Sequence, residues 1–320
     1  MTCKKKLLAA AVGGTLTLGL GIQPAVAEKG PFMLFPYVVK DTNRTTVVTV
    51  IGNGQAVNAG ANMHLQYWTK STTDANTAAC SPNSTTITFT ANDIVSFDTA
   101  GLLGAGPLFG DTTNAAPLGT SISYAAPRHG YLVVRNNVIT PINLYSGYWL
   151  EVDLANGGAH GGRAMTDLNG DFYGTAASQI DLFSNGFSDA RAVTFWPTSV
   201  ASTVFTVTPI STAMDTVENN QVTMQVFNTG GVQGAYDRNE NGVDGTVPQT
   251  VRCVGRLTAA QLMPGVVANA AWAATGGWGW LGDTNITSST EAHVLQVDTS
   301  TAAGAGKFMS NATLISTDDL

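Results

Sequence analysis

The chain has 320 residues, a formal net charge of −7 and only 12% charged side chains, against 44% hydrophobic ones. Acidic and weakly charged, it lacks the basic footprint that nucleic acid or anionic lipid would need. No segment after the N-terminal run approaches the ~20 apolar residues of a membrane-spanning helix.

The chain opens with Lys4-Lys5-Lys6, an apolar run over 7–22 and the small-residue site Ala25-Val26-Ala27. This reads as a secretory signal peptide over 1–27, cut after Ala27. Cleavage leaves 293 of the 320 residues, and loss of the three lysines takes the net charge from −7 to −10. The expected location is exported: extracellular, cell surface or periplasm. Abundant Gly, Ala, Thr, Ser and Asn suit a β-rich exported protein whose strands turn uncharged polar groups to solvent.

Residues 32–40 and 45–51 form an apolar piece containing Phe35-Pro36 and then a β-branched piece, which predicts two strands joined by a turn. Residues 193–210 repeat the theme with Phe195-Trp196-Pro197 and Thr203-Val204-Phe205-Thr206-Val207-Thr208. The strand holding Leu65-Gln66-Tyr67-Trp68 returns as Met224-Gln225-Val226-Phe227. Each copy then has a cysteine, Cys80 or Cys253, and a strand leading into a helical turn, Phe89-Thr90-Ala91 or Leu257-Thr258-Ala259, with the hydroxyl residue as N-cap. Tyr124 and Gly130-Tyr131-Leu132 match Trp272 and Gly279-Trp280-Leu281. Leu150-Glu151-Val152-Asp153 matches Leu295-Gln296-Val297-Asp298.

Six anchors in one order predict tandem homologous units. The fold class is all-β: two antiparallel β-sandwich domains, of immunoglobulin-like or jelly-roll type, over 28–166 and 193–320, with a linker at 167–192. Alternation assigns Leu150, Val152, Leu295 and Val297 to the core and Glu151 and Asp153, or Gln296 and Asp298, to the opposite face, with the acids read as solvated.

Asp237, Asn239 and Asn241, with a glycine at the sixth place, a backbone carbonyl at Val243 and Asp244 beyond, resemble the start of a calcium loop. The acid expected at the twelfth place is Pro248, and the alternative is a solvated turn. From Phe227 to Cys253 is 26 positions against 12 from Trp68 to Cys80, so the motif sits in a 14-residue insertion. Asp167-Leu168-Asn169-Gly170-Asp171 is a weaker relative in the linker.

Trp278 has no aromatic partner in the first copy and is the candidate for stacking a sugar ring. Cys80 and Cys253, placed correspondingly in the two units, are the candidate disulfide. The histidines His64, His129, His160 and His293 show no paired metal spacing, and Ala159-His160-Gly161-Gly162 reads as a flexible loop.

These features predict a secreted, non-enzymatic structural or cell-surface protein, self-assembling or adhesive, with calcium as the one cofactor. The segment 30–35 would be an apolar arm able to pair with a neighbour's sheet edge. The alternatives are a carbohydrate-binding protein using exposed Trp residues and an extracellular polymer hydrolase. The partners expected are a second copy, a cell-surface partner or a glycan, with no nucleic acid and no membrane insertion.

Overall fold

A computed structural model describes residues 32–52, 61–89, 93–104, 108, 121–136, 145–167, 181–183, 187–188, 191–210, 214, 220–228, 233–284, 291–301 and 309–315. The chain is mostly antiparallel β. The N-terminal half contributes β1 (Phe32–Lys40), β2 (Arg44–Gly52), β3 (Ala61–Ser71), β4 (Ser81–Phe89), β5 (Ile94–Asp98), β6 (Arg128–Asn136), β7 (Tyr145–Asp153), β8 (Gly158–Arg163) and β9 (Met165–Asp167). A short hairpin, β10 (Asp181–Phe183) and β11 (Phe187–Ser188), follows. The C-terminal half contributes β12 (Arg191–Phe195), β13 (Ala201–Ile210), β14 (Gln221–Phe227), β15 (Ala235–Asp237), β16 (Gly242–Val243), β17 (Gln249–Arg252) and β18 (Gly255–Thr258). Three helical turns, α1 (Ala259–Leu262), α2 (Pro264–Val267) and α3 (Ala270–Thr275), lead to β19 (Gly277–Asp283), β20 (Glu291–Ser300) and β21 (Met309–Ile315).

Strand pairing runs in the same order through both halves. In the first, β6 lies on β1, β5 and β7 on β2, β4 and β6 on β3, and β8 on β7. In the second, β19 lies on β12, β18 and β20 on β13, β17 and β19 on β14, and β21 on β20. Register agrees in detail: Tyr67 faces Leu132 as Val226 faces Leu281, and Trp68 faces Tyr131 as Phe227 faces Trp280. The halves differ in closure, because the pair Lys40 and Thr45 joins the first into one nine-stranded sheet while the second stays as sheets of six and four.

Two anchors of the sequence repeat do not survive, the cysteines and the pair Phe89 and Leu257. Phe89 ends β4, which pairs with β3, whereas Leu257 lies in β18, which pairs with β13. By pairing, β5 is the counterpart of β18. The helical turn in the second copy is as expected, with Thr258 and Gln261 forming a reciprocal capping box at α1; residues 90–92 lie outside the described residues.

The core explains the layering. Phe35, Val48, Val50, Leu65, Tyr67, Leu132 and Val134 form the first cluster with Trp149. Gly147 on β7 sits so close to β1 that an added Cβ would stand 2.8 Å from the Phe35 ring. Phe195, Phe205, Val207, Met224, Val226, Leu257 and Leu281 form the second cluster. Leu295 and Val297 are buried as expected, but they join the first cluster with Ile210, Met214, Cys253 and Val254. The sheet of β13 and β20 is therefore buried on both faces, and the second half lies against the first.

Strand β1 corrects the reading of a free arm. Phe32, Met33 and Leu34 pair with β6 on one side and β9 on the other, and Met33 to Val39 are all buried. A strand paired on both flanks has no edge to offer a neighbour.

Candidate functional site

The strand that closes the first half carries the densest polar chemistry, and alternation there is anchored differently from expectation. Tyr145, Trp149 and Glu151 occupy the buried face of β7, while Leu150 is only half-buried. The large aromatic rings take the interior and draw Glu151, 5% exposed, in with them. This overturns the solvated-acid reading of Glu151. Its neighbour across the ladder is His160 on β8, which places a second polar group beside it. His160 is thus a strand residue, 5% exposed, and not part of a flexible loop.

Glu151 is held from two sides. Its Oε1 lies 3.7 Å from Arg44 Nη1 and its Oε2 lies 3.3 Å from His160 Nε2. Arg44 also reaches Asp41 Oδ2 at 3.0 Å. Asp153 turns to its own hairpin, where its Oδ1 accepts from the backbone N–H groups of Ala155 and Asn156. The two acids therefore do not act as a pair.

Around Glu151 a chain of rings runs through the interior. His129 and Tyr37 have centroids 6.3 Å apart, Tyr37 and Trp149 6.4 Å, and Trp149 and His160 6.0 Å, all edge-on or nearly so. Burial raises the Tyr37 hydroxyl to about 12, helped by Glu151 and opposed by Arg256 and Arg44. Burial also drives His129 down to about 3, with the charges of Lys70, Arg256, Arg44 and Arg128 adding to it. His160 is lowered by burial and by Arg256 and Arg44, against the pull of Glu151. Both histidines are neutral in this setting.

A second constellation fastens the halves together. Lys70, 1% exposed, donates from Nζ to the carbonyls of Ala75 at 3.2 Å, Asn76 at 2.8 Å, Ala78 at 3.1 Å and Arg252 at 3.0 Å. Burial pulls it down to about 8, opposed by the charge of Asp74 and helped by that of Arg252. Beside it Asn76 bonds the backbone of Arg256 and Arg252. The disulfide Cys80–Cys253 closes the clasp, with Cα atoms 6.0 Å apart. The bridge is present, yet its geometry is not that of corresponding positions. Cys80 precedes β4, whereas Cys253 follows β17, the strand paired like β4.

The remaining sequence candidates gather on β15, β16 and β19. Asp237 pairs with Gly277 and Tyr236 with Trp278, so the Asp237 loop and Trp278 lie together. Asp237 Oδ1 accepts from the backbone N–H of Asn239 at 2.8 Å and of Asn241 at 2.9 Å, and Oδ2 from Asn241 Nδ2 at 3.0 Å. Those bonds hold the Asp237 carboxyl below its usual range and make the loop a self-capped turn. Val243 is in β16 opposite Ala235, and the Asp244 side chain lies near Gly234. Among the described residues no group of three or more His, Cys, Asp or Glu is arranged to hold a metal ion. Asn169 and Asp171 of the weaker motif lie outside the described residues.

Trp278 stacks on Tyr236 at 4.7 Å and meets Trp280 edge-on at 4.9 Å. All three rings are half-buried on one face of the sheet. The buried triad of Glu151, Arg44 and His160 and the Lys70 cage escaped sequence reasoning, because cross-strand partners tens of residues apart leave no local spacing.

Comparison with known proteins finds no matching family model, no matching curated protein and no matching solved structure.

Proposed function

We propose that the chain is an exported, non-enzymatic protein of two tandem homologous β-sandwiches, with a structural or cell-surface role. The observation that carries this reading is the clasp of Cys80–Cys253 with the caged Lys70. A disulfide that spans 173 positions persists in an oxidising compartment, which supports export after a signal peptide. The repeated order of strand pairing supports duplication. The buried charges serve the framework: Glu151 answers Arg44, and Asp98 accepts from Thr45 Oγ1 and the backbone of Ala100.

The test is cell fractionation of the full-length chain with N-terminal sequencing and thiol titration. The expected product is an exported chain beginning at Glu28 without free thiol. A cytosolic chain that keeps its N-terminus and two reduced thiols while fully folded sinks the reading.

A second reading rests on a different observation, the cluster of Tyr236, Trp278 and Trp280 on one sheet face. Half-buried rings side by side suit contact with a glycan. Glycan-array binding that disappears in Trp278→Ala would establish it, and a blank array would remove it.

A further inference from the structure

The ring chain around Glu151 has polar atoms that nothing answers. Among the described residues, Tyr37 Oη, both ring nitrogens of His129, Trp149 Nε1 and His160 Nδ1 have no hydrogen-bond partner. His160 Nε2 faces Glu151 without hydrogen-bond geometry. The four residues are 2 to 5% exposed. Buried polar groups are nearly always satisfied by protein, water or ligand, and several orphans in one place together rival the whole stability of a domain.

The chemistry of the unanswered atoms says what would answer them. An indole N–H and a guanidinium only donate, while a tyrosine hydroxyl and a neutral imidazole each donate one hydrogen and also accept, so the surplus of donors comes from Trp149 and Arg256. The charged groups tilt the same way. Arg44 is matched by Asp41 and Glu151. Arg256, half-buried on β18, forms no ion pair among the described residues; it pairs with Thr206 of β13, two places from Thr208, whose Oγ1 donates to Pro36 O of β1, and it lies on the opposite face of β18 from the core residue Leu257. A surplus of donors around an unmatched cation calls for an acceptor-rich anion and repels a metal ion.

We propose that the seam lined by Tyr37, His129, Trp149, His160 and Arg256, where the first half meets the second, binds one small oxyanion of the phosphate, sulfate or carboxylate class. Arg256 comes from β18 of the second half and the other four from strands of the first, so the anion would be shared between them. The site is independent of the role proposed above, since a structural, adhesive or glycan-binding protein would each tolerate it.

The test uses the full mature chain with its disulfide intact, titrated with inorganic phosphate against sodium chloride at matched ionic strength. Calorimetry should give a saturable isotherm of one site. The melting temperature should rise by roughly 5 °C at a concentration a hundredfold above Kd. Arg256→Gln should weaken binding at least tenfold, and Tyr37→Phe, which removes one neutral donor without removing volume, about tenfold. Sulfate and acetate in place of phosphate rank the members of the class. An equal rise in phosphate for wild type, Arg256→Gln and Tyr37→Phe is a general salt effect and overturns the site. No heat together with a higher melting temperature for Tyr37→Phe than for wild type means that the seam holds water alone, and overturns it as well. Should Arg256→Gln fail to fold, the Tyr37→Phe comparison decides by itself.

Discussion

Strands β7 and β20 close their halves with the same partners and nearly the same sequence, yet they bury different chemistry. In β7 the inward polar residue is Glu151, which faces the Arg44 guanidinium at 3.7 Å and the neutral His160 ring at 3.3 Å. In β20 it is Gln296, whose Nε2 donates to Thr194 O at 3.1 Å and to Asp298 Oδ2 at 3.0 Å. Glu151 sits beside a guanidinium, whereas Gln296 and the buried Asp298 two places on are held by hydrogen bonds, from Trp196 Nε1 and Thr203 Oγ1 among others. The outer faces differ too. Leu295 and Val297 are buried where the second half meets the first, and Leu150 on the equivalent face stays half-exposed.

The harshest way to break the comparison is to separate the halves. Replacing both Cys80 and Cys253 by Ser frees a loop of 173 positions, and the chain-entropy argument expects a loss of about 5 kcal/mol. Guanidinium unfolding of the double variant against oxidised wild type measures it.

Acid comes next. His129 and His293 are pushed down by burial to about 3 and about 4. Between those values and the unfolded value near 6.5, the unfolded chain takes up protons that the folded chain refuses. Stability therefore falls as pH drops below about 6.5 and levels off only below about 3. For these two groups the loss by pH 5 is about 4 kcal/mol, and denaturant midpoints across pH 7 to 4 should follow that slope.

Exchanging the closing residues tests the contrast directly. Glu151→Gln makes β7 resemble β20 but leaves Arg44 with Asp41 alone, at a cost of about 3 kcal/mol. Gln296→Glu sets a second carboxylate beside the buried Asp298 and should cost a similar amount. Equal stability of either variant with wild type, measured by urea unfolding, would remove the charge argument.

The smallest effect belongs to the inserted hairpin. Asp237→Ala removes the acceptor that organises residues 237–241, so proteolysis there should quicken several-fold while the global melting temperature holds.

Much of the framework could be read in advance. β-branched and aromatic runs mark β1, β2, β3, β13 and β14, and of the four positions that alternation assigns to the core Val152, Leu295 and Val297 are buried and Leu150 is half-buried. The facing of β7 was lost because period-two alternation locates two faces without saying which is inside, and Trp149 settles that in three dimensions. In β1, where buried residues run from Met33 to Val39, alternation carries no signal at all. The cysteines were paired correctly for a reason that fails, since equivalence by order in the chain is not equivalence by place in a sheet. Of the candidate sites, Trp278 and the Asp237 loop prove to be neighbours, which β15 alone brings about.

The clasp also decides how the molecule would carry tension. Pulled between Phe32 and Ile315, the load passes from β3 across Cys80–Cys253 and never enters the 172 residues enclosed between the cysteines. Roughly 600 Å of contour is thereby withheld from stretching, at ~3.3–3.6 Å per residue. Only the outer segments can yield until the bridge is reduced. A reductant would then act as a release for slack, turning a short tether into one more than twice as long.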